Sequence, residues 1–166
     1  ESKAFIHEPG LDYLHGVARS HEYPMVHERK LLFINREYWV IVDLLRAPES
    51  HTYDLLFHLS PPAQDQVSIM VSDNTLSIHS PQLILAQPLI PNVRPSIQEG
   101  FVSRVYGEKH RAPIVQLTQH DSSTCFLTVL YPYRGDKPNI SVETSEPDRG
   151  PQALLLGERA SVRITI

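Results

Sequence analysis

Apolar residues along this chain recur with a period of two or in short unbroken runs. The i, i+3, i+4, i+7 spacing of a helix face is scarce. The strongest pair of predicted strands covers 26–34 and 38–45, with Asn35-Arg36-Glu37 as a tight polar turn between them. Trp39-Val40-Ile41-Val42 is continuously apolar, as suits a strand covered on both faces. Residues 51–59 alternate, placing His51, Tyr53, Leu55, Phe57 and Leu59 on one face until Pro61-Pro62 ends the run. Segments 67–71 and 76–78 flank Asp73-Asn74, which tolerate turn conformations, and predict a hairpin. Further strands are predicted at 83–85, 96–105, 113–117 and 126–130. Weaker ones follow at 140–142 and 154–156, and the chain closes on alternating Val162, Ile164 and Ile166.

About a dozen short strands with frequent turn signals predict an all-β fold, an antiparallel β-sandwich of stacked sheets with little helix. The interior is expected to hold Trp39, Val40, Ile41, Val42, Leu55, Phe57, Phe126, Thr128 and Leu130. Fourteen prolines strengthen this reading, because Pro removes a donor and breaks helices. The length of 166 residues suits one domain, 1–166, with a core that needs no cross-links. Cys125 is the one cysteine, so no intrachain disulfide forms, and its apolar neighbours mark it as a core residue. The net charge of -4 argues against nucleic-acid or anionic-membrane partners. There is no signal-peptide pattern and no apolar run of transmembrane length. With Glu1 first and only Met25 and Met70 as methionines, the chain reads as part of a longer protein.

Nine histidines (7, 15, 21, 27, 51, 58, 79, 110 and 120) invite a metal reading, but no HxH, HxxH or CxxC spacing supports it. His21 and His27 would share a strand face were Pro24 not between them. No metal site or cofactor is therefore expected. Glu28 and Arg29 have two readings, a buried polar cluster at a site or a solvated strand face, and alternation favours the second. Asp43, at the end of an apolar run, has three readings, an acid, a ligand or a hydrogen-bond anchor for a turn, and the anchor is favoured. The richest polar stretch runs from Glu99 to Arg111. Within it Tyr106, Lys109, His110 and Arg111 form the candidate substrate-binding group, since cations bind carboxylate or sulfate and tyrosine stacks on sugars. A solvated loop is the other reading of that stretch. No GxSxG, P-loop or GxGxxG is present.

The order of several segments resembles heparinase II/III-like proteins. These are the run His27-Glu28-Arg29-Lys30-Leu31-Leu32-Phe33-Ile34, then Tyr38-Trp39-Val40-Ile41-Val42-Asp43, then His51-Thr52-Tyr53 leading to Phe57-His58-Leu59-Ser60-Pro61. Gly100-Phe101-Val102-Ser103, Tyr106-Gly107-Glu108-Lys109, Ala112-Pro113 and Phe126-Leu127-Thr128-Val129-Leu130-Tyr131-Pro132 continue the series. The resemblance implies a multi-domain polysaccharide lyase, an α/α-toroid followed by stacked antiparallel sheets, acting on uronic-acid polymers such as heparan sulfate or alginate. The implied mechanism is β-elimination. The family's catalytic Tyr, His and Asn or Glu lie in the toroid. A further catalytic His and the metal ligands lie in a motif resembling HxHxD at the start of the β region. That motif is absent here, so no catalytic or metal residue carries over. The implied partners are an acidic polysaccharide and an upstream toroid of the same chain, and the implied compartment is periplasmic or extracellular. The isolated chain is expected to lack lyase activity.

The alternative is a stand-alone carbohydrate-binding module, which would need exposed aromatics from Tyr13, Tyr23, Tyr106, Tyr131 and Tyr133, since Trp39 lies in a core-like run. Nothing in the sequence supports a complete enzyme of another type.

Overall fold

The computed structural model describes residues 1–22, 24–144 and 162–166. Among them the elements in chain order are β1 (Ser2–Glu8), β2 (Leu11–Arg19), β3 (Val26–Ile34), β4 (Tyr38–His58), a short 3-10 turn (Pro61–Ala63), β5 (Ser68–Ser72), β6 (Thr75–Ser80), β7 (Leu83–Pro88), β8 (Arg94–Val102), β9 (His110–Pro132), β10 (Ser141–Thr144) and β11 (Val162–Thr165). All pairings are antiparallel. The main sheet runs β1-β2-β3-β4-β9-β7-β6-β5, with β8 also paired to β9, and β10-β11 form a second small sheet. The fold is all-β, as the alternation predicts. The expected strand at 154–156 lies outside the described residues.

Two long strands organise the sheet. The expected strands at 38–45 and 51–59 are one strand, β4, and those at 113–117 and 126–130 are the halves of β9. Arg46 faces Ser123 and His51 faces Asp121, so β4 sets residues 47–50 against Ser122 alone. Such a bulge bends a strand without ending it. Pro48 sits inside it, where no ladder donor is required. Before the bulge the β4–β9 ribbon is flanked by β3 and β7. Beyond it, β8 takes the place of β7 against β9.

The ribbon has apolar groups on both faces. On one, Val40, Val42 and Leu44 pack with Cys125, Leu127 and Val129, covered by Ile140 and Val142. Backbone N–H of Val142 donates to Thr75 Oγ1 at 3.0 Å, which ties β10 to β6. On the other face, Phe126, Leu85 and Ile78 meet Tyr53, Val115 and Leu117 from beyond the bulge. This second core requires the far half of the ribbon to lie over the near half, and that overlap closes the sandwich. Of the expected interior residues, Val40, Ile41, Val42, Phe126 and Thr128 are buried, whereas Trp39, Leu55, Phe57 and Leu130 are half-buried. Trp39 stacks on its cross-strand partner Phe33 at 4.4 Å between ring centroids.

The hairpin turns follow local chemistry. Asn35 and Arg36 (φ 52° and 59°) and Asp73 and Asn74 (φ 48° and 57°) hold the left-handed pairs that tight hairpins need. The β1–β2 hairpin turns at Pro9-Gly10, with Gly10 at φ 84°. The sequence pattern predicted no strands there. β1 is exposed along almost its whole length, so it has no buried face to impose alternation.

Candidate functional site

The β3–β4 register places Arg29 opposite Asp43 and His27 opposite Leu45, all on the face that carries Phe126. Asp43 is 1 % exposed. Its Oδ1 accepts hydrogen bonds from His27 Nε2 at 2.6 Å and Arg29 Nε at 2.6 Å, and its Oδ2 accepts from Arg29 Nη2 at 3.0 Å. A buried carboxylate without partners would be strongly destabilising, and here both oxygens are satisfied. Burial alone would raise its pKa, but hydrogen bonds and charge from His27 and Arg29 outweigh burial and hold the carboxyl below its ordinary value.

Beyond the bulge, β4 returns to the same face with His51, Tyr53 and Leu55. Tyr53 is buried, and its hydroxyl donates to the carbonyl of Ser122 at 3.2 Å. Burial, with the charge of Asp121 adding to it, pushes the phenol above its ordinary value. His51 meets the Tyr53 ring edge-on at 6.3 Å. Between the two halves of β4 lies a groove of about 480 Å³. It is lined by His27 and Arg29 from β3, by Asp43 and Leu45 from the first half of β4, by His51, Tyr53, Asp54 and Leu55 from the second half, and by Met25 and the buried Phe126. This volume falls in the range of small-molecule sites.

The opposite face of β3 carries a second polar group. Glu28 lies 3.0 Å from His15, 3.4 Å from Lys30 and 3.6 Å from Arg46. Burial acts to raise its carboxyl, and Lys30, His15 and Arg46 together bring it below the ordinary value.

These contacts correct two expectations. Glu28 and Arg29 do not share a solvated face. They are neighbours on a strand, so they serve opposite faces, and each holds ion pairs. Asp43 is not a turn anchor either, because it lies in mid-strand with the ladder continuing past it.

The candidate group at 106–111 lies elsewhere. Tyr106 is fully exposed in the loop joining β8 to β9. Lys109 Nζ sits 3.7 Å above the Phe101 ring, His110 lies 3.1 Å from Glu108, and Arg111 lies 3.5 Å from Glu99. Each of these three side chains thus has its own local partner. Gln119 pairs with Tyr53 at the groove, and Arg111 is eight residues back along β9. At the rise of a strand that is roughly 26 Å.

Other residues singled out in the sequence also fall outside the groove. His7 bonds Asp12 at the β1–β2 hairpin. Burial, with Lys137 adding to it, lowers the pKa of the His79 imidazole. Tyr131 and Tyr133 pack on the core, Tyr13 is half-buried, and Tyr23 is outside the described residues. The described members of this set do not form the row of exposed aromatics that a binding module would need. Among the described residues no three His, Cys, Asp or Glu side chains cluster to hold a metal ion. His27 and Asp43 do not fit one as a pair, because the Arg29 guanidinium occupies both carboxylate oxygens and would repel a cation there.

Comparison with solved structures finds the same fold at low identity. The chain is similar to the heparan sulfate lyase HepC from Pedobacter heparinus, with TM-score 0.73 and 20% identity over 86% of this chain and 23% of that one. It is similar to a heparinase III gene product with TM-score 0.68 and 18% identity, covering 87% of this chain and 23% of that one. A further heparinase III structure gives TM-score 0.73 and 14% identity, covering 99% of this chain and 26% of that one. The chain thus spans about a quarter of the length of these structures. No curated protein sequence matches it. The family model described as heparinase II/III-like, C-terminal, matches residues 8–146, and the chain belongs to that family.

Proposed function

We propose that this chain is the C-terminal β-sandwich of a polysaccharide lyase that cleaves uronic-acid polymers by β-elimination, and that it carries no complete catalytic set of its own. Elimination requires a base to remove the proton at C5, an acid to protonate the leaving oxygen, and a partner for the uronate carboxylate. The observation that carries the reading is that the two buried acid–base groups of the groove, Asp43 and Tyr53, are already committed. Asp43 is buried and accepts hydrogen bonds on both oxygens, and the Tyr53 hydroxyl donates to a backbone carbonyl. Neither is free to exchange a proton with a sugar. The remaining groups belong to the rest of a longer protein, in this reading an upstream α/α-toroid. The likeness of the fold to lyases about four times as long supports that arrangement.

The test is an ultraviolet assay for the unsaturated uronate product, run on heparan sulfate, alginate and hyaluronan. Product from the longer protein and none from residues 1–166 alone is the expected result. A longer protein that is inert on all three polymers while hydrolysing a neutral glycan would overturn the reading.

A further inference from the structure

We propose that the β3–β4 groove is a subsite for one acidic sugar residue, with Arg29 receiving its carboxylate or sulfate and the apolar surface receiving its ring. This deepens the lyase reading and rests on it. The guanidinium has five N–H donors in a fixed plane. Two are spent on Asp43, through Nε and Nη2. The other three belong to a side chain that is 48% exposed at the groove wall. Asp43 also lines the groove but is only 2% exposed, so Arg29 presents far more of its charged surface than the acid it pairs with. The bidentate bond also fixes that plane before any ligand arrives, which reduces the ordering cost of binding an anion.

The rest of the groove matches the rest of a sugar. Half-buried Met25, Leu45 and Leu55 offer apolar surface for the C–H face of a ring, and the Asp54 carboxylate that also lines the groove accepts hydrogen bonds from Gln116 and Thr118. His51 lines the same groove and makes a ring contact with Tyr53 and no hydrogen bond among the described residues, so its ring nitrogens can meet sugar hydroxyls. The other cations differ in setting. Lys109, His110 and Arg111 lie on the β8–β9 hairpin outside the groove.

The experiment measures binding of three probes to the 166-residue chain by calorimetry and amide chemical-shift mapping. The probes are a glucuronate-bearing disaccharide, the same disaccharide with glucose in place of glucuronate, and sodium sulfate. The acidic disaccharide should shift residues 27–29, 43–45 and 51–55. The neutral one should bind at least about tenfold more weakly, since a charge-assisted pair is lost. Sulfate competing with the disaccharide would extend the site to sulfate esters, and no competition would restrict it to uronates. Leu55→Trp, which adds bulk to the groove at a residue outside the Asp43 hydrogen bonds, and Arg29→Lys, which keeps the charge but loses the fork, should each weaken binding about tenfold. Lys109→Ala should bind as the parent chain does. Equal affinity for the neutral disaccharide, shifts confined to 101–111, or no binding at all would overturn the subsite. The lyase reading stands or falls separately, on product formation by the longer protein.

Discussion

Asp43 Oδ1 lies 2.6 Å from His27 Nε2 across the β3–β4 ladder, at a carboxylate that is 1 % exposed. A strand interior is an expensive place for a charge, and the cost is met because Arg29 and His27 arrive from the neighbouring strand in register. Removing a partner should therefore cost more than an ordinary surface substitution. Arg29→Ala leaves the buried carboxylate with His27 alone, and is predicted to lower unfolding free energy by about 2–3 kcal/mol, below the full value for a buried pair because Arg29 is half-exposed. Urea denaturation of the two proteins checks this, and a loss within ~0.5 kcal/mol would show that the pair is dispensable.

The same carboxylate predicts an acid limb. Its folded pKa is depressed, so in the acid range the unfolded chain binds the extra proton and stability rises with pH. The contribution is complete above the unfolded value of about 3.9 and is lost as pH falls through the lower folded value. Unfolding free energies between about pH 2 and 6 should fall more steeply toward acid in the parent chain than in Asp43→Asn. Parallel curves would assign the acid sensitivity to other groups.

Much of this fold is legible in the sequence because it rests on local signals. Asn35-Arg36 and Asp73-Asn74 announce their hairpins, and the run from Trp39 to Val42 announces a strand covered on both faces. The Asp43 cluster was legible in principle. Once Ile34 pairs with Tyr38 across the turn, each step back along β3 is a step forward along β4, which puts Arg29 opposite Asp43 and His27 opposite Leu45. The pattern within a single strand does not carry it, because the partner that Arg29 pairs with comes from the neighbouring strand. The union of two short strands into β4 was not legible, because a bulge at Pro48 looks in sequence like a strand end. The β1–β2 hairpin was missed because its outer strand buries almost nothing. The cluster at 106–111 stood out by charge alone, and charge does not reveal that Glu108, Glu99 and Phe101 already engage those cations.

Cys125 is fully buried, and burial first, with the charge of Asp43 adding to it, pushes its thiol up to about 12. It should resist a disulfide reagent in the folded chain at neutral pH and react fully in denaturant. Rapid labelling of the native protein would mean that β9 opens locally far more readily than its two packed faces suggest.

Phe126 is 1 % exposed and links the two halves of the ribbon beside Tyr53 and Leu117. Phe126→Ala is predicted to cost about 3–5 kcal/mol, whereas Tyr106→Ala in the exposed loop should stay within ~0.5 kcal/mol. Thermal or urea unfolding separates them. Similar losses for both would mean that the loop is packed against something in solution.

In the proposed function the sandwich contributes binding surface to a lyase and leaves proton transfer to other parts of the protein. The most direct measurement is the ultraviolet rate of unsaturated uronate formation by residues 1–166 alone, at high concentration, on heparan sulfate, alginate and hyaluronan. No product above the uncatalysed rate is expected, since members of a catalytic unit lose most of their effect when separated. Sustained product formation by this chain, abolished by His27→Ala, would contradict it and make the groove an active site in its own right.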